Sequence, residues 1–270
     1  TTQLNIETLK GFGNIVIEAA TGELASGLSG KGRMEEPENI YQFIVDFFQK
    51  QLSLSDKNVL VTSGPTFEPI DPVRFIGNHS SGKMGNAIAL ELAKRGAIVH
   101  LVSGPVPELP LHPNIKITKV TTASQMYEAA IKTFPNCNAA ILAAAVADFK
   151  PANQSNQKIK RGNKNLSVEL VPTQDIAKAL GTSKKKNQVL IGFALETQNE
   201  SQNAQKKVET KNLDSIVLNS LHETGAGFGV DTNKVTIIRK DGSQVPFPLK
   251  PKEEVAKDII DELSNYINKQ

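Results

Sequence analysis

From Lys57 onward, short apolar runs alternate with segments whose apolar residues recur every three or four positions. This alternation predicts strand–helix–strand units. Asn58-Val-Leu-Val-Thr62 is a β-branched apolar run, as a strand buried in a parallel sheet requires. A long loop follows, and the spacing predicts a helix from about Lys83 to Lys94, ended by Gly96. Ile98 to Val102 reads as a second strand, Ser124 to Phe134 as a helix, and Ala139 to Val146 as a further strand whose alanines permit close approach. A helix opens at Asp175 and runs to about Leu180. Val189 to Leu195 then reads as strand, Ser201 to Lys211 as helix and Ser215 to Leu218 as strand. Val235 to Arg239, an Asp241-Gly242 turn and Val245 to Leu249 read as a hairpin. Glu253 to Ile267 places Val255, Ile259, Ile260, Leu263 and Ile267 on one helical face. This order is that of an α/β domain: a doubly wound, Rossmann-like, mostly parallel sheet with right-handed crossovers and an added β-hairpin. No internal repeat is visible.

The first forty residues follow a different pattern. Ile15-Val16-Ile17 reads as a strand, while Ala20 to Arg33 is rich in glycine and predicts no regular element. Glu38 to Gln51 places Ile40, Phe43, Ile44, Phe47 and Phe48 on one helical face. These shifts divide the chain into 1–40, the tail of a preceding domain, 41–56, a linker helix, and 57–270, the main domain.

Composition narrows the function classes. A net charge of +3 over 270 residues does not argue for nucleic acid. With no tryptophan and three tyrosines, no platform for stacked bases is evident. No apolar run reaches the roughly 18 residues of a membrane span, and the start at Thr1 does not read as a signal peptide. The single cysteine, Cys137, excludes an internal disulfide and fits a reducing, cytoplasmic compartment; it reads as a half-buried thiol rather than a nucleophile. Lys184-Lys-Lys186 reads as a solvated loop.

Ligands of such sheets sit outside the carboxyl ends of the strands. The candidate chemistry therefore lies in the loops after Thr62, Val146, Leu195 and Leu218. The first loop, stiffened by Pro65, Pro69 and Pro72, ends in Ser80-Ser81-Gly82-Lys83 at a helix start, where unpaired N–H groups suit an anion. The alternative for Ser80 and Ser81 is simple helix capping. Gly77 to Lys83 matches G-x-x-x-x-G-K, yet Met84 stands where a P-loop needs Ser or Thr for magnesium. A P-loop kinase is therefore rejected. The missing G-x-G-x-x-G likewise opposes a nicotinamide reductase. Asp148 can bind ribose hydroxyls or a metal, or close a turn. The polar stretch 152–164, with Lys158, Lys160, Arg161 and Lys164, reads as a mobile basic flap able to cover a triphosphate, or as a solvated loop. Phe193 can pack on a base or in a core. Lys207 and Lys211 share a helix face and can reach phosphates or solvent, and Gly225-Ala-Gly-Phe-Gly229 can approach a ligand or form a plain loop.

Taken in order, Ser63-Gly-Pro-Thr, Asp71-Pro-Val-Arg74, Asn78-His-Ser-Ser-Gly-Lys-Met-Gly85, Ala144-Ala-Val-Ala-Asp148, Lys158-Ile-Lys160, Gly192-Phe-Ala-Leu-Glu-Thr197 and Lys211-Asn-Leu-Asp214 resemble the phosphopantothenoylcysteine synthetase (phosphopantothenate–cysteine ligase) family. The resemblance runs from about Lys57 to the end. Gly22 to Met34 resembles the substrate flap of the flavin-dependent decarboxylase domain that bacteria fuse ahead of the synthetase. Ser26 stands where many members carry a catalytic cysteine, and the flavin-binding body of that domain does not fall within this chain, so decarboxylase activity is not expected of it. The resemblance implies a CTP-dependent ligation of 4′-phosphopantothenate to cysteine through an acyl-cytidylate, with magnesium as cofactor and CTP as co-substrate. FMN is expected only in the upstream domain, and a homodimer is implied. It assigns Asn78, Lys158 and Arg74 to catalysis. Ala143, Ala144, Asp148, Lys158, Gln174, Asp175, Ile176, Ala177, Phe193, Lys207 and Lys211 are assigned to the nucleotide. Gly64, Ser80, Ser81, Gly82 and Lys83 are read as phosphate-binding, with Asp148 as the metal candidate. Gln174-Asp175 departs from the Pro-Asp that bacterial relatives often carry. No residue distinguishes CTP from ATP. A structural remnant without catalysis is the remaining alternative; it predicts decay at Asn78 and Lys158, and both are present.

Overall fold

The computed structural model describes residues 2–23, 29–50, 52–162, 165–196, 198–220, 227 and 229–268. Ser26, Lys164, Thr197 and most of the Gly225–Gly229 segment, all singled out above, lie outside the described residues. The chain divides into two units, Thr1–Ser55 and Asp56–Gln270.

The first unit holds helix α1 (Thr2–Gly11), an antiparallel pair of β1 (Ala20–Glu23) with β2 (Ser29–Arg33), and helix α2 (Pro37–Lys50). Two expectations are corrected here. The trio Ile15–Ile17 has no strand partner among the described residues, and the ladder instead forms in the glycine-rich stretch after it. Of the apolar face read on α2, Phe43, Ile44 and Phe48 are exposed.

The second unit begins with β3 (Asn58–Ser63), whose apolar run is buried from Val59 to Ser63. A short hairpin, β4 (Phe67–Pro69) with β5 (Phe75–Gly77), leads to α3 (Lys83–Lys94). Then come β6 (Ile98–Ser103), β7 (Ile115–Lys119), α4 (Ala123–Thr133) and β8 (Ala139–Leu142). A second small ladder, β9 (Phe149–Pro151) with β10 (Leu170–Pro172), precedes α5 (Ile176–Ser183), β11 (Val189–Glu196), α6 (Glu200–Thr210) and β12 (Ser215–Ser220). The chain closes with β13 (Thr232–Asn233), β14 (Val235–Arg239), β15 (Gln244–Pro246), β16 (Lys250–Pro251) and α7 (Lys252–Ile267).

The central sheet runs β15-β14-β12-β11-β8-β3-β6-β7. Neighbours from β12 to β7 are parallel, while β14 and β15 are antiparallel. The six parallel strands thus follow the 3-2-1-4-5-6 order of a doubly wound Rossmann-like fold, and the order reverses between β3 and β8. Strand alternation sends Leu60, Val102, Ala140, Leu142 and Leu190 into a core with Met126 and Ala130 of α4, Leu180 of α5 and Val208 of α6. On α3, Ile88 and Leu92 are buried, as are Val255, Ile259 and Leu263 of α7, and these two helices pack on each other.

Two more readings change. The strand expected to reach Val146 stops at Leu142, because the next amides turn toward the loop after β3. Ala143 N donates to Thr62 O (3.1 Å), Ala144 N to Thr62 Oγ1 (3.3 Å), Ala145 N to Gly64 O (2.9 Å) and Ala147 N to Thr66 Oγ1 (3.0 Å). Of the lysines at 184–186, Lys184 is not solvated: its ammonium lies 2.8 and 2.9 Å from the two Asp214 carboxylate oxygens. Lys185 donates to Pro135 O at 2.9 Å, and Lys186 is exposed.

Candidate functional site

A cavity of about 510 Å³ opens where the strand order reverses, a size that suits a nucleotide-sized guest. The loop after β8 forms one wall with Ala144, Ala145, Val146 and Asp148, and the end of β11 supplies Gly192 and Phe193. The start of α5 contributes Gln174 to Ala177; Lys207 of α6 and the adjacent Lys211 complete the rim, with Asn78 from the first loop. Most residues assigned to the nucleotide therefore share one cavity. Ala143 and Lys158 do not line it.

Asn78 is held in place by the floor of the cavity. Its amide nitrogen lies 3.1 Å from Ala145 O and 3.2 Å from Val146 O, leaving the side-chain carbonyl without a partner among the described residues. The two rim lysines are paired. Lys207 Nζ is 2.6 Å from Glu196 Oε1, and Lys211 Nζ is 3.0 Å from Asp175 Oδ2. Asp175 also caps α5 by accepting from Lys178 N at 2.9 Å. Burial works against its charge, but the Lys178 amide and the Lys211 ammonium more than offset this and hold the carboxyl below its usual range. Asp148 is exposed and its carboxylate has no partner among the described residues.

A smaller pocket adjoins the first across Phe193, which lines both. It is formed by Ser80 to Gly85, Ala143, Asn219, Gly227, Asn233 and Lys252. Gly82, the N-cap of α3, takes a left-handed conformation (φ 76°), and no side chain caps the helix. The capping alternative for Ser80 and Ser81 is therefore not what forms, although Ser80 Oγ accepts from Gly82 N at 3.4 Å. The first-turn amides of α3 remain available to an anion. Lys83 reaches Asp231 (2.6 Å) and Gly229 O (3.3 Å). Gly64 lines neither pocket; it turns the chain beside Gly104 and Val106 at φ 76°.

Arg74 and the basic stretch come together, and none of them lines the cavity. Arg74 pairs with Asp71 and donates to Ile159 O at 2.6 Å. Ser155 N donates to Ile70 O at 2.9 Å, so the part of the expected flap up to Ile159 is fastened to the β4–β5 hairpin. Lys158, Lys160 and Arg161 are exposed along it.

The sequence reading missed Lys252, Asn219 and Asn233, and it missed the lysine counterions. Lys252 is only 7% exposed, and its ammonium contacts Val230 O and Gly227 O (3.1 Å). At the start of a helix a lysine carries no local signal of burial, and only the fold brings it beside Ser80. Cys137 is buried more deeply than the half-buried thiol expected, and burial pushes its thiol up to about 11. Among the described residues no three His, Cys, Asp or Glu side chains come together as a metal cluster, and no helix is long and apolar enough to cross a membrane.

The chain is similar to known proteins over most of its length. Residues 54–267 match the family model described as the DNA/pantothenate metabolism flavoprotein C-terminal domain. A protein named cysteine/cysteine sulfinic acid decarboxylase, from an unknown prokaryotic organism, is 52% identical over 99% of this chain and 76% of its own length. The coenzyme A biosynthesis bifunctional protein CoaBC of Bacillus subtilis (strain 168) is 44% identical over 96% of this chain, which spans only 64% of that relative. The crystal structure of a C-terminal domain of a CoaBC protein superposes with a TM-score of 0.70 at 40% identity, covering 82% of this chain and all of that one.

Proposed function

The chain belongs to the DNA/pantothenate metabolism flavoprotein C-terminal domain family, and from that premise we propose that it is a phosphopantothenate–cysteine ligase that uses CTP. One observation carries the reading: a switch-point cavity gathers Asn78, Asp148, the start of α5, Phe193, Lys207 and Lys211, and adjoins the uncapped N-terminus of α3.

A carboxylate is a poor acceptor for an amine until it is esterified to a good leaving group. In the proposed reaction a carboxylate oxygen of 4′-phosphopantothenate attacks the α-phosphorus of CTP, and the bond to pyrophosphate breaks. The amino group of cysteine then attacks the acyl-cytidylate carbon; CMP departs and the amine loses a proton. Phe193 packs against the base between the two pockets, and Lys207 and Lys211 exchange their carboxylate partners for phosphate oxygens. The first-turn amides of α3, with Lys83, hold the phosphate of the substrate or the leaving pyrophosphate. Asn78 aligns the acyl-cytidylate, and Lys158 brings positive charge over the phosphates.

The donor set fits magnesium carried on a triphosphate: among the described residues one carboxylate without a partner, Asp148, faces the cavity. There magnesium would neutralise charge on the phosphate oxygens. The flavin of the bifunctional relatives belongs, in this reading, to the part of their length that the present chain does not match. A homodimer is proposed on the surface where Val73, Phe75, Phe149 and Leu170 are exposed; a monomeric mass in sedimentation would remove it.

The test is to supply the chain with magnesium, 4′-phosphopantothenate, cysteine and either CTP or ATP, and to measure pyrophosphate and coupled product. Product with CTP well above ATP is expected. Preference for ATP would keep the ligase and remove the base assignment. Carbon dioxide from cysteine without pyrophosphate would favour the activity for which the 52% identical relative is named.

A further inference from the structure

The basic stretch carries its charge on Lys158, Lys160 and Arg161, but another residue fixes its course. Asp71 lies between β4 and β5, its side chain fully buried. One of its oxygens accepts from Val73 N and Arg74 N, each at 2.8 Å, closing the hairpin turn. The other accepts from Arg74 Nε at 3.0 Å and, 88 residues along the chain, from Ile159 N at 3.1 Å. Arg74 Nη2 completes the ion pair and donates to Ile159 O at 2.6 Å. One carboxylate–guanidinium pair therefore holds both the N–H and the C=O of Ile159, the residue between Lys158 and Lys160.

The same hairpin carries Asn78, directly after β5, and Asn78 is bonded to the cavity floor at Ala145 and Val146. The hairpin is itself stiffened by the stacked rings of Phe67 and Phe75, 4.0 Å between centroids. Arg74 beside it holds the Asp71 carboxyl well below the usual range, so the pair stays charged throughout the working pH range.

We propose that Asp71 is a positioning residue: by holding Ile159 it sets Lys158 at a fixed distance from Asn78 across one stiff hairpin. The role of Lys158 rests on the ligase reading, whereas the tether does not. A misplacement of about 1 Å in a group acting on a transition state costs on the order of 100-fold in rate. The expected signature of losing the tether is a fall in kcat with little change in nucleotide KM.

The closing experiment has a structural and a kinetic arm. In the unmodified chain the Ile159 amide should exchange with solvent at least ~10-fold more slowly than those of Lys158 and Lys160, whose N–H groups have no acceptor among the described residues. Asp71→Asn should remove that protection and speed tryptic cleavage after Lys158, Lys160 and Arg161. It should lower kcat about 10- to 100-fold with nucleotide KM within about 3-fold. In a Lys158→Gln background the same change should cost little more, because both act through one ammonium. If Asp71→Asn fails to fold, Ile159→Pro removes the same N–H donor while leaving Asp71 and Arg74 in place. An unprotected Ile159 amide, or a full additive loss in the double variant, would overturn the proposal. Absence of pyrophosphate release by the unmodified chain would instead sink the ligase reading and leave the exchange result to decide the tether.

Discussion

Replacing Gly82 by alanine tests how tightly the start of α3 is built against the loop after β6. Gly82 has φ 76°, and a Cβ there would lie 2.6 Å from Val106 Cγ1 and 3.3 Å from Ser63 Oγ. Two costs combine. A left-handed conformation disfavours an alanine by roughly 1–2 kcal/mol, and overpacking against a methyl adds about 1–3 kcal/mol. The expected destabilisation is therefore about 2–5 kcal/mol, a large part of the roughly 5–15 kcal/mol that stabilises a domain. Gly242 provides the calibration. It has φ 83°, and a Cβ added there would meet nothing within 4 Å, so Gly242→Ala should show the conformational cost alone. Val106→Ala removes the offending methyl, and in that background Gly82→Ala should fall toward the Gly242→Ala value, the 3.3 Å approach to Ser63 Oγ remaining. Urea unfolding midpoints of the three single variants and the Gly82→Ala/Val106→Ala double variant provide the measurement. Equal losses for Gly82→Ala and Gly242→Ala, with no coupling to Val106, would refute the packing argument. Phosphate binding at α3 should weaken with Gly82→Ala and recover only in part in the double variant, since the first-turn amides follow the same backbone.

Three further outcomes are expected. Asn78→Asp places a carboxylate against the Ala145 and Val146 carbonyls in place of a donor; product formation should fall about 100-fold while CTP binding by calorimetry stays within a few-fold, and unchanged turnover would remove Asn78 from the mechanism. Burial holds the Lys252 ammonium below its ordinary 10.5. The unfolded chain therefore binds this proton more readily, and stability should rise as pH increases from the folded value toward 10.5. Lys252→Met should flatten that rise in pH-dependent urea unfolding; an unaltered slope would show that Lys252 does not titrate as the structure requires. Cys137, with its thiol at about 11, has a thiolate fraction on the order of 10⁻³ at pH 8. Iodoacetamide should leave it unmodified in the native chain and label it in urea, and rapid native labelling would contradict its burial.

The fold is legible in the sequence wherever burial is two-sided. The runs at Val59, Val99, Ala139 and Val189 lie in the centre of a parallel sheet, where both faces demand apolar residues. At the edges the signal fades. In β7 only Ile115 is partly buried, Lys116 to Lys119 are all exposed, and the pattern names no strand there, although the ladder to β6 runs from Ile115 to Lys119. Charged residues on an edge strand protect it from pairing with other chains, which also hides it from a search for apolar runs. The early end of β8 is hidden for a different reason. Ala143 to Val146 are as apolar as the strand before them, but the hydroxyls of Thr62 and Thr66, distant in sequence, capture amides of this segment and of Ala147 after it. Local pattern cannot report a long-range acceptor. The β1–β2 ladder marks the opposite failure, since glycines that disfavour strands still pair when a facing segment supplies the register.

The candidate site divides along the same line. Loops at the carboxyl ends of strands can be named from topology, and the cavity gathers Asp148, Gln174, Phe193, Lys207 and Lys211 around them. The charge state of that cavity cannot be read from the sequence, because it depends on which carboxylate faces which ammonium. Lys207 and Lys211 do not wait as free cations; Glu196 and Asp175 already hold them. A phosphate oxygen entering the site competes with a carboxylate, so its gain is the difference between two charge-assisted contacts. Lys252 differs, having only carbonyl partners among the described residues, so an anion reaching it gains an attraction that no bound carboxylate must first surrender. The pocket at the start of α3 therefore sets two ammonium groups, Lys83 and Lys252, against the single Asp231 carboxylate that Lys83 holds, while the larger cavity supplies cations already held in position. That division suits a reaction in which one phosphate group must be released as pyrophosphate and another must remain aligned for attack by an amine.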